Sequence, residues 1–232
     1  MISLITTTRE RPLFLLEAAS SVSEQIVPPD EWIIYIDEDE EGAVFYEEVK
    51  EIIKKIVPQA KFFGGDGKIG RVRALIKAHE LASGDRLAMF DDDDLLSKDC
   101  IKEVNKHSDK PFVYTNFIAW EKDGKTIDDP ERNKEEFSFD LEENKFHGLP
   151  FHLTVYSREL YDEVGGFDPT YEVCMDMDIK VRMSLIEKPF KINKYLYHYR
   201  RHRKRISSVK SSLQYRNRNR IKKWYREYLE SA

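Results

Sequence analysis

Four short apolar runs, Ile2 to Thr7, Trp32 to Ile36, Ala60 to Phe63 and Arg86 to Phe90, alternate with stretches of helical periodicity in the first ninety residues. One intervening helix opens at Pro12 with Leu13, Leu16, Ala19 and Val22 apolar. Another runs from near Glu41 to Val57, and a third sets Val72, Leu75, Ile76, His79 and Ala82 on one face. A β-α-β-α-β-α-β order predicts a parallel sheet with right-handed crossovers and helices on both faces. Ligands of such sheets bind at the carboxyl ends of the strands. The loops after Thr7, Ile36, Phe63 and Phe90 therefore face one crevice, and they carry Arg9, Asp37, Lys68, Arg73 and the run Asp91-Asp92-Asp93-Asp94.

Four adjacent carboxylates at the end of an apolar strand have no packing rationale, because like charges held so close raise one another's pKa unless a cation neutralises them. An oxygen-rich cluster suits a hard divalent ion, Mg²⁺ or Mn²⁺, which keeps positions open for phosphate oxygens when one or two carboxylates hold it. The competing reading is a solvated acidic turn. Two other motifs fail on context. Asp37 to Gly42 with Glu48 resembles a calcium loop but follows a strand, so its acids are expected to cap the next helix. Gly64 to Lys68 lacks the first glycine and the Ser/Thr of a phosphate-binding loop.

Beyond Pro111 the pattern is mixed. Strands are predicted at Phe112 to Asn116, Phe151 to Tyr156 and Tyr195 to Tyr199, a hairpin turn at Lys122 to Lys125, and a polar insertion from Asp128 to Asn144. A helix is expected from about Met175 to Leu185, after the turn Gly165-Gly166-Phe167-Asp168-Pro169, and a last helix from Ser211 onward. This divides the chain into a first half at 1–110, a second half of the same domain at 111–200, and a basic tail at 201–232. From Arg200 onward there are twelve Lys or Arg against Glu227 and Glu230, whereas the chain as a whole carries a net charge of −5. A basic tail on an acidic body points to an anionic partner. Cys100 and Cys174 form no CxxC pair, which fits a reducing compartment, and no apolar stretch is long enough to span a bilayer. A cytoplasmic protein is expected, with a tail able to lie against the inner face of a membrane.

Taken in order, these pieces resemble a family 2 glycosyltransferase of the GT-A fold. Ser3 to Pro12 is similar to that family's first strand and turn, Ile33 to Glu38 to the strand ending in acids, and Gly67 to Arg73 to the glycine-rich segment closed by an arginine. Phe90 to Leu95 resembles its D-x-D metal motif, Gly165 to Asp168 with Met175 to Asp178 its GGFD and Glu-Asp elements, and Tyr199 to His202 with Ser207-Ser208 its closing segment. Thr6 stands where Pro is usual, Ala74 where Asn follows the arginine, and Met175 where Glu precedes the aspartate. The resemblance implies an α/β GT-A fold with a Rossmann-like, mostly parallel sheet and a smaller mixed acceptor-side region. It implies inverting, metal-dependent transfer, of a hexose by expectation, from a nucleotide diphosphate sugar, a UDP sugar by expectation, to a glycan, lipid-linked or other hydroxyl acceptor. The expected donor site comprises Thr6, Thr8, Arg9, Asp37 at the base, Lys68, Arg73, Asp91 and Asp92. Asp91, Asp93 and His202 are expected to hold Mn²⁺ or Mg²⁺.

Inverting transfer requires a carboxylate to take the acceptor hydroxyl's proton, and Asp176 at a helix start is the expected base, with Asp178 as runner-up. His79 is expected as a satisfied core residue, and His147 and His152 as acceptor-side candidates. Two other classes compete: a module that binds nucleic acid or an anionic membrane through the arginine-rich tail, and a sugar-phosphate nucleotidyltransferase. The latter needs a glycine-rich, lysine-containing loop after the first strand, where this chain has Thr6 to Arg11.

Overall fold

The computed structural model describes residues 1–65, 67–121, 126–127, 136–202 and 210–231. Four parallel strands, β1 (Ile2–Thr8), β2 (Glu31–Ile36), β3 (Ala60–Gly64) and β4 (Arg86–Met89), alternate with helices α1 (Pro12–Ser23), α2 (Glu40–Ala43), α3 (Glu47–Ile56) and α4 (Arg71–Leu81). There follow β5 (Leu95–Leu96), α5 (Cys100–Asn105), β6 (Phe112–Glu121), β7 (Thr126–Ile127) and a small hairpin of β8 (Ser138–Asp140) with β9 (Lys145–His147). The chain then forms β10 (Thr154–Ser157), α6 (Arg158–Glu163), α7 (Met175–Ser184), β11 (Phe190–Arg201) and α8 (Ser211–Ser231). The large sheet runs β3-β2-β1-β4-β10-β6-β11-β5, with β7 on the side of β6. β10 lies antiparallel between β4 and β6, so the mixed region continues the parallel one as a single sheet.

β1 and β2 are buried along almost their whole length, as strands covered on both faces must be. Successive side chains point to opposite faces. Leu4 and Ile34 accordingly join one core with α1, α3 and α5, while Ile5, Ile33 and Tyr35 join a second with α4, α7 and α8. α1 starts where Pro12 supplies a helical φ and no orphaned N–H. α3 turns Val49 and Ile53 inward while Glu47, Lys50, Glu51 and Lys54 pair outside. α7 is buried nearly all round, whereas α8 seats Ile221 and Tyr225 against the body and leaves Arg216, Arg218, Arg220, Trp224 and Tyr228 exposed.

The single helix expected from Glu41 to Val57 is broken. Asp39 caps α2 by accepting from the Gly42 amide at 3.0 Å, and a 3-10 turn over Val44–Tyr46 then separates it from α3. The tighter turn directs the Tyr46 ring inward and its hydroxyl to the end of β1. The loop at Lys122 to Lys125, residues 128–135 and Ser207-Ser208 lie outside the described residues.

Candidate active site

At the carboxyl ends of the parallel strands, the loop after β1 meets the aspartate run after β4. The Thr8 hydroxyl donates to Asp92 Oδ2 at 2.7 Å and lies 3.1 Å from the Tyr46 hydroxyl, which accepts the Arg11 amide at 3.0 Å. Arg11 Nη1 reaches Asp92 Oδ1 at 3.1 Å and Asp93 Oδ2 at 2.6 Å. Arg9 is exposed at the rim, 3.7 Å from Glu10. Thr6 lies in the core, its hydroxyl donating to the Phe90 carbonyl and accepting from Trp32 Nε1, both at 2.8 Å. That residue ties β1 to β4 and β2 and has no surface to offer a ligand.

After β2, the Asp37 carboxylate accepts from the Ile69 amide at 2.7 Å and the Gly70 amide at 3.1 Å, so it shapes the loop that returns to α4. Gly64 leaves β3 with φ near +80°, and a Cβ there would stand 2.3 Å from the Ile36 carbonyl oxygen, so only glycine fits this crossing. Lys68 spans Glu38 at 3.3 Å and Asp39 at 3.0 Å on the rim of an acidic recess of about 500 Å³ that also includes Glu10, Tyr46 and Phe45.

The four aspartates divide their work. Asp94 is fully buried, with the Tyr197 hydroxyl donating to Oδ2 at 2.7 Å and the Arg200 amide to Oδ1 at 2.7 Å. Burial, then the charges of Asp93 and Asp91, push its pKa well up. Burial and Asp93 push Asp92 up to about 7 against the pull of Arg11 and Thr8. Asp93 is opposed by burial, but the His202 hydrogen bond at 2.9 Å and the charges of Arg11 and Arg71 outweigh it and hold its pKa low. Asp91 is the most open, 26% exposed at the side chain, with Arg71 Nη2 at 2.9 Å and His152 Nε2 at 3.6 Å. Asp91, Asp93 and Asp94 bring one oxygen each within 4.8 Å of the others. Crowded hard oxygens beside an imidazole nitrogen suit Mn²⁺ or Mg²⁺, so the residues present fit such an ion. Asp94 is committed to Tyr197 and Arg200 and fully buried, whereas Asp91, Asp93 and His202 each keep part of the side chain exposed.

Asp176 lies in the first turn of α7. Burial disfavours its charge, yet Lys180, His152 and Arg71 overcome that and keep its pKa low. The charges of Arg71 and Lys180 act on both Asp91 and Asp176, while burial lowers the His152 pKa beside them. Asp178 turns away. It takes Arg182 Nη2 at 2.6 Å and Nε at 3.0 Å, while the same guanidinium clamps the Val164 and Gly166 carbonyls at 2.6 and 2.7 Å. His79 lies in the core, with Nδ1 2.8 Å from the Leu75 carbonyl and Nε2 2.8 Å from the Tyr156 hydroxyl. His152 stacks on Tyr197 and Tyr199 beside the site, whereas His147 lies on β9 next to Asp140 and Glu143.

Arg73, expected at the phosphates, is on the exposed side of α4, and Arg71 occupies the crevice in its place. α4 starts at Arg71 directly after Gly70, and two residues at about 100° each turn Arg73 to the opposite side. Arg11, Lys180 and Arg200 were not singled out by the sequence. A usable signal existed for Lys180, four residues after Asp176 and hence on the same helix face.

The family model for glycosyl transferase family 2 matches residues 3–165. Structures of S. aureus TarS share the fold. TarS 1-349 in complex with UDP gives a TM-score of 0.71 at 14% identity, covering 97% of this chain and 64% of that one. TarS 1-349 in complex with UDP-GlcNAc gives 0.67 at 16% identity, with 87% and 58% covered. A curated relative, the uncharacterized protein y4gI of Sinorhizobium fredii (strain NBRC 101917 / NGR234), is 29% identical over 111 residues, 45% of this chain and 12% of its own length. The chain thus spans a small part of that relative and less than two thirds of the TarS chains. Among the described residues, no helix is long and apolar enough to cross a membrane. An α/β GT-A fold with a mostly parallel sheet, together with a family match over more than half of its residues, establishes that this chain belongs to glycosyl transferase family 2.

Proposed function

We propose that the chain moves a sugar, with inversion, from a nucleotide diphosphate sugar to an acceptor hydroxyl. The observation that supports this is that Arg71, 2.9 Å from Asp91, feels the charges of Asp91, Asp176 and Asp93 together. The nucleotide lies over the strand ends, its base at Asp37 and the acidic recess, and its diphosphate toward Arg11 and Arg71. That the TarS neighbours hold UDP and UDP-GlcNAc supports uridine as the nucleoside. Asp91, Asp93 and His202 would hold Mn²⁺ or Mg²⁺, which would neutralise charge on the leaving diphosphate.

As the glycosidic bond breaks, negative charge grows on the diphosphate oxygens. Arg71 and Arg11 are fixed by carboxylates before reaction and need no reorganisation to stabilise that charge. Asp176, held ionised by its cationic neighbours, accepts the proton of the acceptor hydroxyl during attack. Thr8 and Asp92 hold the loop that positions Arg11, and Lys68 and Arg9 stand at the rim, where they meet the outer nucleotide. The test is donor hydrolysis and transfer over a panel of nucleotide sugars, with Asp176→Asn alongside. Asp176→Asn is expected to bind donor as wild type does and to lose turnover by at least about a hundredfold. Undiminished turnover in that variant would remove Asp176 as the base.

A further inference from the structure

Asp176 also lines a cavity of about 60 Å³, together with Phe151, Met177, Lys180, Gln214 and Arg218 among others. That is room for a few waters, and hence for a phosphate or carboxylate group. Its polar lining is cationic. Lys180 is 2% exposed, and its ammonium, with three N–H donors, has one hydrogen bond among the described residues, of 3.4 Å to the Phe151 carbonyl, with the charges of Asp176 and Asp91 nearby but no carboxylate within 4.0 Å. A buried ammonium so thinly satisfied is costly unless something else completes its shell.

Arg218 comes from a different element. α8 is pinned beside the start of α7 by Asn217 Nδ2, which donates to the Val173 carbonyl at 2.9 Å, and by the Cys174 thiol on the Gln214 carbonyl at 3.7 Å. This docking brings the exposed Arg218 to the same cavity as Lys180, and it too has no ion pair among the described residues. Two cations against the one carboxylate of Asp176 leave the cavity positive.

We propose that this cavity is an anion subsite of the acceptor. Lys180 and Arg218 hold a phosphate or carboxylate that the acceptor carries next to the hydroxyl facing Asp176. The inference rests on the reading of Asp176 as the base and adds the acceptor's chemical class to it. Charge-assisted hydrogen bonds from a lysine and an arginine in a partly desolvated cavity select an anion over a neutral sugar, and they set the distance from anion to reacting hydroxyl.

Calorimetric titration of the whole chain with glucose, glucose 6-phosphate and glucuronate, each after saturation with UDP and Mn²⁺, tests this. At least one anion is expected to bind about tenfold or more tightly than glucose. Phosphate-only or carboxylate-only preference names which anion the acceptor carries. In Arg218→Gln, a substitution at an exposed residue, the preference is expected to fall toward one; Lys180→Met should do the same, with its melting curve checked first. Anions that bind no tighter than glucose, or a preference kept in Arg218→Gln, would overturn the subsite while UDP binding leaves the transferase reading standing. Failure of the wild type to bind UDP at all would overturn that reading and this one together.

Discussion

Arg71 is where stability and catalysis separate most cleanly. Its guanidinium lies 2.9 Å from Asp91, and the two side chains are 35% and 26% exposed, so water and salt screen the pair. Ion pairs of this exposure contribute about 0–1 kcal/mol to the fold, equivalent to a melting shift of at most about 4 °C for a chain of this size. The same cation interacts with Asp91, Asp176, Asp93 and Asp92 together, and under the proposed function that position would make it a donor to the charge developing on a leaving diphosphate. Removing one preorganised donor to a developing oxyanion costs about 10²–10³ in kcat, or about 3–4 kcal/mol of barrier. Arg71→Met is therefore expected to lower kcat about a hundredfold or more while the protein melts within a few degrees of wild type. Nucleoside diphosphate release, read at saturating donor, and thermal denaturation by circular dichroism measure the two sides. The same substitution at Arg73, on the exposed side of α4, serves as the contrast. A large loss of stability with kcat intact in Arg71→Met, or equal losses of kcat at both positions, would refute the reasoning.

Three other perturbations follow. Asp178→Asn should retain turnover within a fewfold and lose about 1–3 kcal/mol of stability in urea, because its partner Arg182 also ties down the Val164 and Gly166 carbonyls; a collapse of turnover equal to that of Asp176→Asn would contradict this. His79 is held down to about 4 by burial, with Arg158 adding to the effect against the Leu75 carbonyl, while an unfolded histidine titrates near about 6.5. Its folded pKa is depressed, so the unfolded chain binds the proton first, and stability present above about pH 6.5 is lost as pH falls toward 4. The stability difference between wild type and His79→Gln should accordingly shrink by about 2 kcal/mol between pH 7.5 and 4.5, and parallel urea midpoints would refute it. Tyr197→Phe removes the hydroxyl that donates to Asp94 and accepts the Asp91 amide at 3.3 Å, so both stability and cation affinity are expected to fall, measured by melting with and without Mn²⁺.

The first half of the fold was legible because strands buried on both faces read as unbroken apolar runs. Ile2 to Thr7, Trp32 to Ile36 and Ala60 to Phe63 each fall within one residue of the strands observed. The second half was less so. β6 runs from Phe112 to Glu121, twice the length expected, and β11 starts at Phe190, five residues early, because the two pair along their whole length through register shifts near Tyr195. A bulged partnership interrupts the alternation that marks a strand. In the site, the aspartate run was conspicuous because four carboxylates have no packing role, but the inward turn of Asp92 and Asp94 depends on Thr8, Arg11, Tyr197 and Arg200, which only the folded chain brings together. The helical phase that prefers Arg71 to Arg73 depends on where α4 begins. Lys180 shares a helix face with Asp176 in the sequence, but its burial shows only once α7 is seen to be enclosed.

The central claim is that Asp91, Asp93 and His202 hold a divalent cation on which a nucleotide diphosphate depends for binding. Titration of UDP into the wild type and Asp93→Ala, each with Mn²⁺ and with EDTA, tests it most directly. Tight binding in the wild type only with Mn²⁺, reduced at least about tenfold in Asp93→Ala to the level seen in EDTA, is predicted. UDP affinity that ignores both the metal and the substitution would contradict the account.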